Sequence, residues 1–104
     1  MKQRKKKALE KAVYSVGDAY DFPGVSDEEK ALIEVKHRLM VLVRMTRESE
    51  KITQLALAKR INSSQSRIAK IENGFSDVSL DLIMRALFSM GISVQEVGKA
   101  ISKR

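Results

Sequence analysis

Residues 52–74, ITQLALAKRINSSQSRIAKIENG, constrain the fold most, because two capped helical patterns lie so close together that the chain between them can only turn. Thr53 offers an N-cap hydroxyl, and Gln54 to Ile61 keep Leu57, Ala58 and Ile61 on one helical face. Asn62 follows; asparagine enters the left-handed region most readily after glycine, and ends a helix by doing so. Ser63 or Ser64 can cap a second helix, Gln65 to Glu72, which turns Ile68 and Ile71 inward and leaves Gln65, Ser66, Arg67 and Lys70 outside. Gly74 stands in the terminating position. Ala58 is small enough for the two backbones to approach.

Two short helices joined by a turn of about three or four residues have the geometry of a helix-turn-helix, whose second helix turns its outer face toward a major groove. The sequence resembles the Xre-type helix-turn-helix family, which includes lambdoid phage repressors and many antitoxins. The matching residues are Thr53-Gln54, Leu57-Ala58, Ser64-Gln65-Ser66, Ile68 and Ile71-Glu72-Asn73-Gly74. Departures are local: Asn62 replaces the family's usual glycine, Ser63 an aliphatic residue, and Leu55 a common Glu or Gln.

Gln65 and Ser66, at the start of the second helix, project deepest toward the groove, where a glutamine can bridge adenine N6 and N7 and a serine adds one adaptable hydrogen bond. Arg67 and Lys70 flank them within reach of base edges or phosphates. The resemblance implies backbone-clamping positions at Gln54 and Asn73, and Ser64 is expected beside them on phosphate. It also implies that Glu72, the one acid of this surface, turns inward to a charge partner, with Arg60 a candidate.

The rest of the chain reads as a frame for this pair. Met1 to Lys11 carry six Lys/Arg against one Glu, a run expected to be a mobile basic tail or a DNA-binding arm. Residues 12–25 hold Tyr14, Tyr20 and Phe22 among Gly17, Pro23 and Gly24, too apolar for a free linker and too broken for a helix, and are expected to be extended and packed on the domain or on a second copy. Residues 26–104 form the helical domain. Ser26 to Glu29 make a capping box for a long helix reaching about Glu48, with Leu32, Val35, Leu39, Leu42, Val43 and Thr46 as core stripe and Ile33, Met40 and Val41 as surplus apolar surface. Its first half must cover either the C-terminal helix or a partner subunit. Ser79 caps a fourth helix with Leu80, Ile83, Met84, Leu87 and Phe88 inward, and Ser93 with Glu96 boxes a fifth carrying Val94, Val97, Ala100 and Ile101. The expected fold is therefore all-α, a five-helix Xre or lambda-repressor-like domain with an N-terminal extension.

Charge and composition narrow the function. The net charge of +7 is concentrated in the tail and in residues 52–74, while residues 12–51 carry eight acids against six bases, a distribution suited to a polyanion. The chain has no cysteine, and its single histidine, His37, reads as a helix-surface residue without a ligand set, so no metal or cofactor is expected. No nucleophile–base pair or phosphate-cradling glycine loop is present, which argues against an enzyme. Apolar runs end far short of the roughly 20 residues of a membrane span, and a cytoplasmic location is expected.

These readings converge on a sequence-specific transcriptional repressor that binds double-stranded DNA as a homodimer on a two-fold symmetric operator. Beyond the motif, Gly17-Asp18-x-x-x-Phe22, Val78-Ser79-Leu80-Asp81-Leu82 and Met90-Gly91-Ile92-Ser93 resemble stand-alone HigA-type antitoxins over residues 16–101. The alternative that this implies is a protein that neutralises a small basic toxin through the acidic stretch from Asp18 to Glu34, and represses its own operon.

Overall fold

The computed structural model describes residues 25–102. Among them are five helices and no strand: α1 Asp27–Ser49, α2 Gln54–Arg60, α3 Gln65–Glu72, α4 Leu80–Ser89 and α5 Val94–Ser102. The basic run 1–11 and nearly all of the aromatic segment 12–25 lie outside the described residues.

Each helix begins on a hydroxyl. Ser26, Thr53, Ser64, Ser79 and Ser93 accept from the backbone N–H three residues on, at 3.1, 3.0, 3.3, 3.2 and 3.1 Å. In the last box Glu96 Oε1 also accepts from Ser93 N–H at 3.1 Å, closing it in both directions. Ser64, not Ser63, is therefore the cap of α3.

Four helices also end alike. The residue after the C-cap takes positive φ at Lys51 (58°), Asn62 (52°), Gly74 (76°) and Gly91 (83°). In each case the next N–H returns to a carbonyl of the last turn: Ile52 to Arg47, Ser63 to Ala58, Phe75 to Lys70 and Ile92 to Leu87. This is the Schellman closure, which satisfies orphan carbonyls and reverses the chain within one residue. Asn62 does the work that glycine does at Gly74, and Lys51 does it with an ordinary side chain.

The core joins all five helices: Leu39, Met40 and Val43 of α1, Leu57 and Ala58 of α2, Ile68 and Ile71 of α3, Ile83, Ala86 and Leu87 of α4, Val97 of α5, and Val78 and Met90 in the connections. Two expectations for α1 need correction. Met40 is buried rather than surplus, while Leu32, which keeps the stripe's spacing, is 47% exposed. Residues 27–32 stay largely exposed, so the early turns of α1 extend past the helices that cover the later ones. Further along, the expected packing on the C-terminal helix is present: α1 packs against α5, and Arg38 donates to the Ile101 carbonyl. Phe88 and Val94, expected inward, are exposed, Val94 at 71%.

His37 also departs from expectation. It is 9% exposed, with no hydrogen-bond partner on either ring nitrogen among the described residues, and burial pushes its imidazole below the ordinary histidine range. His37 stands three positions before Met40, in line with the buried positions 40, 44 and 47 of α1.

Candidate nucleic-acid interface

α3 is an eight-residue helix, about 12 Å long at 1.5 Å per residue. Ile68 and Ile71 are fully buried against the core and fix its roll about its own axis. That leaves Gln65, Ser66, Arg67 and Lys70 exposed along the outer face, with Ser64 and Asn73 exposed at its two ends. Every α3 position expected to meet DNA is thus open to solvent. Gln54, half-buried at the start of α2, comes up beside them.

Gln54 and Gln65 are joined to the interior by one chain of hydrogen bonds. At its root Arg47, near the end of α1, grips the Glu72 carboxylate twice, Nε to Oε2 at 2.5 Å and Nη2 to Oε1 at 2.8 Å. Its Nη1 donates to the Ile52 carbonyl at 2.8 Å, in the connection leading to α2. Gln54 Nε2 donates to Glu72 Oε1 at 3.1 Å, and Gln65 Nε2 donates to Gln54 Oε1 at 2.7 Å. The path runs from a buried ion pair to the first outward residue of α3. Hydrogen bonds to Glu72 raise the Arg47 guanidinium above its already high ordinary pKa against the opposing effect of burial.

Glu72 turns inward as expected, its side chain only 3% exposed, but its partner is Arg47 and not Arg60. Arg60 instead reaches the Ser89 carbonyl at 3.4 Å, tying α2 to the end of α4. Inward orientation removes the one acid of α3 from a surface that would otherwise repel phosphate. The signal for Arg47 was in the sequence: an arginine four residues after Val43 and seven after Met40 continues a buried stripe, and a cation there requires a buried counter-charge.

Ser64 Oγ and Ser66 Oγ lie 3.1 Å apart, so the cap and the second outward residue share one hydrogen bond. Lys70 sits over the Phe75 ring, 6.0 Å from its centroid, and 3.6 Å from the Asp77 carboxylate. A groove of about 470 Å³ runs between the α2–α3 turn and the start of α4, with Asn62, Ser63, Arg67, Lys70, Asp77 and Arg85 among its walls. Phe75 and Asp77 were not expected at this surface; both belong to the loop that leaves α3.

The arrangement is a short helix presenting a carboxamide, a hydroxyl and two cations, with capping and connecting polar groups around it. Such groups pair with base edges and phosphate oxygens. No helix among the described residues is long and apolar enough to cross a membrane. A family model described as helix-turn-helix matches residues 43–97, from the buried half of α1 into α5. No curated protein and no solved structure matches the chain.

Proposed function

Since the chain belongs to the Xre-type helix-turn-helix family of DNA-binding domains, we propose that it is a sequence-specific transcriptional repressor that occupies a two-fold symmetric operator as a homodimer. The observation that carries this reading is the outer face of α3, where Gln65, Ser66, Arg67 and Lys70 are exposed together while Glu72 is turned away. Gln65 and Ser66 read bases; Arg67 and Lys70 meet base edges or the flanking phosphates. Ser64 and Asn73, at the ends of α3, and Gln54, through its backbone N–H at the start of α2, hold the backbone and set the register. Binding, not catalysis, is the mechanism.

The dimer follows from information content. One helix-turn-helix reads too few base pairs to be selective, and two recognition helices about 34–36 Å apart meet successive major grooves on one side of B-DNA. Binding-site selection from random duplexes should return a palindrome with that half-site spacing. Gln65→Ala should cost roughly 1–3 kcal/mol on the selected site and relax preference at one base position in each half. Sedimentation as a monomer on DNA would defeat the dimer, and an equal loss on all sequences would defeat the role given to Gln65.

A second reading is favoured by Asp27, Glu28 and Glu29, three exposed carboxylates in the first turn of α1. They stand about 27–30 Å along the helix axis from Arg47, at 1.5 Å per residue. Such a patch suits a small basic protein, as an antitoxin that also represses its operon would require. Asp18 and Asp21, which extend the stretch in sequence, lie outside the described residues. Charge reversal at the three carboxylates should slow association with that partner and leave operator binding nearly unchanged. Purification from the native host as a homodimer alone, with no growth arrest on depletion, returns the protein to the plain repressor.

A further inference from the structure

We propose that the buried Arg47–Glu72 ion pair is a positioning device for base recognition: acting through Gln54, it fixes which end of the Gln65 carboxamide faces DNA and so selects adenine over guanine at one position. The proposal rests on the base-reading role assigned to Gln65 above, and extends it to two residues that do not reach the surface.

The argument is one of polarity. A carboxylate can only accept hydrogen bonds, whereas a carboxamide has one accepting and one donating end and can be turned over. Glu72 Oε1 accepts from Gln54 Nε2 at 3.1 Å, so Gln54 is held with its NH2 group inward and its oxygen outward. That oxygen accepts from Gln65 Nε2 at 2.7 Å, which turns the NH2 group of Gln65 toward Gln54. Gln65 then has one N–H and its Oε1 left for the groove. A donor beside an acceptor is the complement of adenine N7 and N6.

Removal of the carboxylate frees the whole series. Gln54 can present NH2 to Gln65, and Gln65 then turns its oxygen toward Gln54 and leaves both N–H groups outward. Two donors complement guanine O6 and N7 instead. The part of Arg47 is to immobilise the acceptor: it binds both Glu72 oxygens, and through Nη1 it ties the carboxylate to Ile52, two residues before Gln54. A bidentate guanidinium fixes a carboxylate plane in a way that a single ammonium does not.

The test is the base preference of the full chain. Arg47→Met combined with Glu72→Met removes both charges together, so neither is left buried alone, and apolar replacement of a buried pair commonly preserves the fold. Binding-site selection is run on the wild type, the double variant and Gln65→Ala. The wild type should favour adenine over guanine at the Gln65 position by roughly tenfold or more. The double variant should lose that preference or move it to guanine while keeping its preference elsewhere, and Gln65→Ala should lose it at the same position. If Gln65→Ala loses the preference and the double variant keeps it, the positioning proposal alone is overturned. If Gln65→Ala leaves the profile unchanged, the base-reading role itself falls and the proposal with it. Side-chain amide relaxation by NMR in the DNA-free wild type needs no variant to fold. Order parameters near 0.85 at Gln54 and Gln65 are expected, and values below about 0.6 would overturn the relay.

Discussion

Two buried polar residues on α1 meet opposite fates. Arg47 is 7% exposed and has partners for all three of its guanidinium nitrogens; His37, ten positions earlier, is 9% exposed and neither ring nitrogen is bonded among the described residues. Depth of burial is the same, so the difference lies in what the surrounding elements bring. The end of α1 meets α3 and the α2 connection, which supply a carboxylate and a carbonyl in the right planes. His37 is buried without such an answer among the described residues, and its burial favours the neutral imidazole. Burial of a polar group marks an organised site only where its hydrogen bonds are also met, and here that site leads to the α3 face.

The comparison breaks most visibly at Arg47. Arg47→Ala leaves Glu72 buried without its cation and should cost about 3–5 kcal/mol in chemical denaturation, a large share of the stability of a domain this size. A loss under about 1 kcal/mol would mean that Glu72 finds water or another donor, and that the pair does not organise the end of α1.

His37 should respond in the opposite direction and by less. His37→Leu removes two unmet polar atoms and should stabilise the protein by about 1 kcal/mol near neutral pH. Acid sharpens the contrast. An imidazole whose folded pKa lies below its unfolded value of 6.5 binds fewer protons when folded. Stability is therefore complete above about pH 6.5 and is lost as the pH falls through that value toward the lower folded pKa. Unfolding followed at about pH 7.5 and pH 5.5 should show a drop in the wild type that is smaller in His37→Leu; equal drops would assign the pH dependence to other groups.

The contrast between Arg47 and His37 also marks what could be read from the sequence. Caps and terminators were legible because they are local: Thr53, Ser79, Ser93, Asn62 and Gly74 act on atoms within a few residues. The outward set of α3 was legible because Ile68 and Ile71 fix its roll. Illegible were the pairings that depend on where distant turns meet. Arg47 and Glu72 are 25 residues apart, and Arg60, the nearer cation in the motif, was the wrong partner. Leu32 and Met40 were exchanged for a related reason, since spacing assigns a face but not how far along a helix its neighbours reach. The Gln54–Gln65 contact, across 11 residues and a turn, depends in the same way on how α2 and α3 meet.

The smallest effect is expected at Ser63, the second side chain, after His37, with a buried and unbonded polar atom among the described residues. Its hydroxyl lies beside the α2–α3 turn, where the residue itself is half-buried and walls the groove toward α4. If an unmet hydroxyl is costly wherever it is buried, Ser63→Ala should stabilise the fold slightly, and Ser63→Val should add the burial of further methyl surface for a total of about 0.5–1 kcal/mol. The backbone makes this a fair test, because the strained φ belongs to Asn62 and the left-handed turn is left as it is. Neither variant touches Arg47, Glu72, Gln54 or Gln65, so base preference should be unchanged while the melting temperature of Ser63→Val rises by roughly 2–8 °C. A destabilised Ser63→Ala would show that the hydroxyl is satisfied in solution, and that His37 alone carries the cost of unanswered burial. A changed base preference would place the turn, and not only the ion pair, among the elements that orient α3.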